Sequence, residues 1–157
     1  MEDRTPLPLV DEHQVSARAP RLVVWRQLGA SLRGRDQVVG PAVRLLGAHP
    51  DGRSGDPLVA GSTFPGFAVV EAVPGELLVL AGRHRFSAYR LVFTLTGTDG
   101  TTQLVARSEA RFPGLHGRVY RALVIGSGGH RVVVRRWLHR IARSSEDERD
   151  PTARAEG

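Results

Sequence analysis

The chain has 157 residues and no cysteine, with 22 basic against 16 acidic residues and a formal charge of +6. That length suits one domain, which buries roughly 70% of its unfolded surface without staples, and the missing thiols exclude a disulfide framework, thiolate zinc and a cysteine nucleophile. Every basic residue is arginine, which stays charged and grips phosphate or carboxylate through a bidentate fork, so the charge fits either an anionic partner or an ordinary arginine-coated surface. Nucleic-acid binders set such charge beside exposed aromatics; with 2 Trp, 2 Tyr and 5 Phe, no specific nucleic acid is expected.

Residues 1–10 lack a basic start and a long apolar run, and no later stretch reaches the length of a membrane span, so they read as a flexible N-terminus of a cytoplasmic protein. In residues 11–18, His13, Val15 and Ala17 alternate with Glu12, Gln14, Ser16 and Arg18, the period of a half-buried strand. Ala19-Pro20 ends it and opens a helix, because proline is tolerated in a first turn. Val24, Trp25, Leu28 and Leu32 then recur at helical spacing, with Arg21, Arg26 and Arg33 toward water, until Gly34.

Residues 34–63 read as loops around one short apolar piece, Ala42 to Leu46. From Phe64 the pattern is strand-like: FAVVEAV, a Pro74-Gly75 turn, ELLVLAGR, then HRFSAYRLVFTLTG. Asp99-Gly100 between Thr98 and Thr101 is the strongest hairpin signal, because both residues accept positive φ. In the strand that follows, Leu104, Ala106, Ser108, Ala110 and Phe112 share one face, and Tyr89, Leu91, Phe93 and Leu95 form the inward face of its partner. Strands of about twelve residues span roughly 40 Å and should curl around a helix.

After Pro113-Gly114 a short helix is expected in LHGRVYRALVIG, and a firmer one from His130 to about Arg143, with His130, Val133, Val134, Trp137, Leu138 and Ile141 on one face. The tail from Ser144 holds little to bury and reads as disordered. The expected division is therefore 1–10 flexible, 11–143 folded and 144–157 disordered.

Strand, Ala-Pro, a helix with Val24-Trp25 and Leu28, antiparallel strands and a long last helix, in that order, resemble the START-like (SRPBCC) superfamily, which includes polyketide cyclases. The stretches carrying the likeness are DEHQVSARAPRLVVWRQL, GRHRFSAYRLVFTL and ARFPGLHGRVYRALVIGSGGH; the last two look like a largely uncharacterised bacterial branch. The resemblance implies an α+β helix-grip fold, a curved antiparallel sheet clasping the C-terminal helix around a cavity. Members bind lipids, sterols, polyketides and other hydrophobic molecules, and a minority catalyse cyclisation or dehydration. Fold alone does not fix function.

Val124-Ile125-Gly126-Ser127-Gly128-Gly129 looks like a nucleotide-binding turn, but Arg131 stands where a third glycine is required and no strand follows the helix, so no nucleotide cofactor is expected. Its bare N–H groups, His130 and nearby arginines offer an anionic head group a seat; equally, His130 caps or packs against the helix start. The resembling branch often has histidine at this position.

Along the hairpin, Arg85, Ser87, Tyr89 and Ser108 sit among Phe86, Phe93 and Phe112, the mix of a small-molecule pocket. The alternative places Arg85 in water at the strand mouth and makes Tyr89 a core residue with a satisfied hydroxyl. The six histidines form no HExxH and no i, i+4 pair, so no metal is expected. No serine stands in a G-x-S-x-G elbow, Gly126-Ser127-Gly128 being too short. A cyclase would draw its general acid or base from His84, Tyr89, His116 or Tyr120.

The reading is therefore a protein that binds a small hydrophobic or amphipathic molecule without a cofactor. The expected ligand-binding residues are Arg85, Ser87, Tyr89, Phe93, Ser108, Phe112, Tyr120, His130, Val134 and Trp137. One rival is a cyclase or dehydratase using the same cavity; another docks Arg131, Arg135, Arg136 and Arg140 on anionic lipid or nucleic acid. The oligomeric state stays open.

Overall fold

The computed structural model describes residues 7–34, 45, 47–98, 100–124, 126 and 128–149; most of the Ala42 to Leu46 piece, Asp99, Ile125, Ser127 and the Tyr120 side chain lie outside the described residues. The first strand, β1 (Leu9–Ala17), leads into α1 (Arg21–Gly34). The Pro20 carbonyl accepts from the Val23 and Val24 N–H groups, which would otherwise be orphaned at the helix start. Val24, Trp25, Leu28 and Leu32 are buried, as their spacing requires.

After a long connection come β2 (Thr63–Phe64), β3 (Phe67–Val73), β4 (Leu77–His84), β5 (Ser87–Thr98) and β6 (Thr101–Arg111). They join β1 in one six-stranded antiparallel sheet of order β1-β6-β5-β4-β3-β2. The two-residue strand β2 was not expected; too short to show a period, it is held by pairing with β3. Thr98 faces Thr101, so the turn closes on two residues, with Gly100 at φ 92°.

Pairing fixes which side chains share the inner face. Asp11 lies opposite Ser108, Ser108 opposite Leu91, and Leu91 opposite Leu80; the neighbouring row runs His13, Ala106, Phe93, Leu78. The sheet is curved, and α2 (Gly114–Val124) and α3 (Gly129–Arg149) complete the fold. Trp137 and Ile141 of α3 are buried, and the Trp137 ring meets Phe93 edge-on at 5.2 Å. The helix packs chiefly along β1 and α1, and only lightly on β6, so the sheet holds it toward one edge.

Three expectations are corrected. The N-terminal boundary moves: β1 starts at Leu9, and the Pro8 carbonyl accepts from Ala110 N–H. Val133, expected on the inward face of α3, is exposed, because the buried stripe runs Val134, Trp137, Leu138, Ile141, Ala142, Ser145. The helix also continues to Arg149, so residues 144–149 are ordered where disorder was expected.

That last difference has a physical cause. Ser145 is fully buried and its hydroxyl donates to the Ile141 carbonyl; Glu146 accepts from Arg18 N–H at 2.8 Å. Glu148 accepts from Arg26 and Gln27, and Arg149 donates to the Arg18 carbonyl. These acidic residues are anchored by charge rather than apolar burial, with partners more than a hundred positions away.

Candidate functional site

Two polar groups are set into the inner face. The first lies where β4 turns into β5. Phe86 N–H donates to His84 Nδ1 at 3.1 Å, so a neutral His84 carries its proton on Nε2 and donates to Ser87 Oγ at 2.9 Å. Burial pushes the His84 imidazole below its usual range, which favours this neutral form. The Tyr89 hydroxyl donates to the Gly66 carbonyl at 2.6 Å, and its ring meets Phe67 edge-on at 5.2 Å.

Gly82 makes that approach possible. It lies opposite Tyr89 in the β4–β5 pairing, and a Cβ there would collide with the Gly66 carbonyl and the Tyr89 ring.

The second group gathers where β1, β6 and the start of α3 meet. Alternation along β1 places Asp11 and His13 inward, Ser108 lies opposite Asp11, and His130 comes from the first turn of α3. His130 Nε2 is 3.3 Å from Ser108 Oγ and 3.7 Å from Asp11 Oδ2, while His13 Nε2 is 3.5 Å from the same oxygen. The Asp11 side chain is 6% exposed, and neither of its oxygens, nor His13 Nε2, has a hydrogen-bond partner among the described residues.

The expected site residues separate accordingly. Ser87 and Tyr89 join the first group through His84. Ser108 and His130 join the second, and Phe93 packs against Trp137, whose indole N–H donates to Ser31 Oγ at 3.0 Å. Val134 is buried on the same helix face. Phe112 lies one residue past β6 and is half-buried; Gly117 of α2 packs directly on its backbone.

Arg85 is corrected: the chain turns at Arg85-Phe86, and Arg85 is exposed there instead of facing inward from a continuous strand. Of the candidate acids and bases, Tyr89 is committed to Gly66 and His116 is exposed on α2. Asp11 and His13 were missed as site residues. Their signal was parity: Asp11 falls in step with His13, Val15 and Ala17, which puts a carboxylate on an apolar face. Among the described residues, no group of three or more His, Asp or Glu side chains is set to hold a metal ion.

No family model and no curated protein matches the chain in sequence. Solved structures share its architecture. The Mll3558 protein from Rhizobium loti aligns with TM-score 0.54 at 16% identity, over 85% of this chain and 94% of its own. The Polyketide_cyc-like protein Cgl2372 from Corynebacterium glutamicum gives 0.51 at 15% identity, over 90% and 94%. The chain shares the α+β helix-grip architecture of these structures. DynU16, described as a putative protein in the dynemicin biosynthetic locus, shares this helix-grip with TM-score 0.51 at 19% identity, over 84% of this chain and 45% of its own. No helix among the described residues is long and apolar enough to cross a membrane.

Proposed function

We propose that this chain binds a small hydrophobic or amphipathic molecule, such as a lipid or a polyketide-like metabolite, between the inner face of its sheet and α3. The observation that carries the reading is the pair of polar groups, His84 with Ser87 and Asp11 with His13, Ser108 and His130, set among Leu80, Leu91, Phe93 and Trp137. An apolar surface with a few fixed polar groups is how small-molecule sites achieve both affinity and orientation. The similarity to a Polyketide_cyc-like protein and to a protein of a biosynthetic locus agrees with that chemistry.

Native mass spectrometry of the purified protein tests the reading. A defined hydrophobic species is expected to copurify and to raise Tm when added back. A protein that carries nothing and whose Tm responds to no hydrophobic compound removes it.

A second reading has its own support. On α2, Leu115, Val119 and Leu123 are exposed at 72%, 55% and 69% and recur every fourth residue, flanked by the exposed Arg118 and Arg121. Arg131, Arg135, Arg136 and Arg140 are exposed on α3. An apolar stripe beside arginines suits the surface of an anionic membrane. Binding to phosphatidylserine vesicles that persists at about 0.2 M salt supports it, because purely electrostatic attraction fades at that ionic strength.

A further inference from the structure

The Asp11 cluster points to the chemistry of the ligand's polar end. A carboxylate excluded from water normally collects hydrogen bonds, because leaving one unpaired forfeits its hydration without replacement. Asp11 collects none, although two imidazoles and a hydroxyl surround it. The Asp11 separations, 3.5 Å to His13 Nε2 and 3.7 Å to His130 Nε2, exceed the 2.7–2.9 Å typical of a charged N–H···O bond. The groups converge without closing on one another, and a buried polar group left unsatisfied in a folded protein calls for an explanation, a functional role among them.

We infer that Asp11, His13, Ser108 and His130 together recognise a neutral hydroxyl group, that of an alcohol, phenol or enol, at the polar end of a hydrophobic ligand. The hydroxyl donates its proton to the Asp11 carboxylate and accepts from an imidazole N–H of His13 or His130, and Ser108 Oγ orients His130. Asp11 excludes an anionic head group, because a ligand carboxylate or phosphate would bring like charge against it at short range in a poorly solvated place. The inference runs against the expectation that His130 and the helix start seat an anion, because 3.7 Å from that imidazole stands a carboxylate of the protein's own.

The inference rests on the ligand-binding reading, and the test separates the two. Octanol, octyl methyl ether and octanoate share one apolar chain and differ in donor and charge. Binding is measured by calorimetry, alongside the imidazole nitrogen shifts of His13 and His130 by NMR. Octanol is expected to bind at least about tenfold more tightly than the ether, since a site made for a donor discriminates against its absence. Octanoate should bind more weakly still, and octanol should move both imidazole signals.

In Asp11→Asn the preference for octanol over octanoate should collapse. His130→Gln, at the half-exposed start of α3, provides the same comparison in a variant whose core is untouched. Equal binding of the three probes, with His13 and His130 unmoved, overturns the inference and leaves the ligand-binding reading standing. Failure of all three to bind at saturating concentration removes both.

Discussion

Gly82 and Tyr89 show how a single missing methyl group permits a polar contact inside the sheet. The Gly66 carbonyl occupies the space where a side chain at position 82 would stand, and from there accepts the Tyr89 hydroxyl. Gly82→Ala forces a methyl group against the Gly66 carbonyl and the Tyr89 ring, and a loss of about 1–3 kcal/mol in chemical denaturation is expected, as for other overpacked sites.

His84 makes stability depend on pH. Its imidazole is held below the usual range by burial, so between the folded value and about 6.5 the unfolded chain binds a proton that the folded chain does not. That stabilisation is complete above about pH 6.5 and is lost as pH falls through the folded value. Melting curves from about pH 7.5 to 5 should therefore slope more steeply for the native chain than for His84→Gln.

Asp11 acts in the opposite sense to an ordinary buried residue. Because its oxygens have no hydrogen-bond partner, Asp11→Asn is expected to raise Tm by about 3 °C while weakening hydroxyl recognition, a trade of stability against function. A fall in Tm would mean that the imidazoles already compensate the charge.

Among the elements, α3 separates what local pattern can and cannot reveal. The stripe Val134, Trp137, Leu138, Ile141 was legible because apolar spacing reports a buried helix face. The last six helical residues were not, because their attachment is Glu146 to Arg18 and Glu148 to Arg26 and Gln27, long-range polar contacts without a periodic trace. Deleting residues from Ser144 onward removes the buried Ser145 and these bonds, and should lower Tm by about 3–6 °C. No change would mean that the helix end contributes nothing.

The turn between β4 and β5 was hidden for a related reason. Arg85-Phe86 contains no glycine, proline or asparagine, so the break between the two strands read as falling at Arg83-His84, and Arg85 was counted within the second strand, with a place in water at its mouth as the alternative. Thr98 to Thr101, with its Asp-Gly, was legible from turn chemistry alone.

For the molecule as a whole, the order of elements identified the fold where overall sequence similarity was low, since alternation, helical spacing and turn residues all pointed to one architecture. The candidate site was half legible. Ser87, Tyr89, Ser108 and His130 stood out as polar residues within apolar strands or at a helix start, whereas the meeting of Asp11 with His130 depends on how α3 crosses β1, which no spacing encodes.

The pairing of β1 with β6 also bears on how this chain is made. Leu9–Ala17 is synthesised well before Thr101–Arg111, its strand partner among the described residues, about ninety residues later. Closing so wide a loop is entropically unfavourable and slow. Until Thr101–Arg111 has been made, then, β1 waits without that partner, a period in which a nascent-chain chaperone has the most to shield.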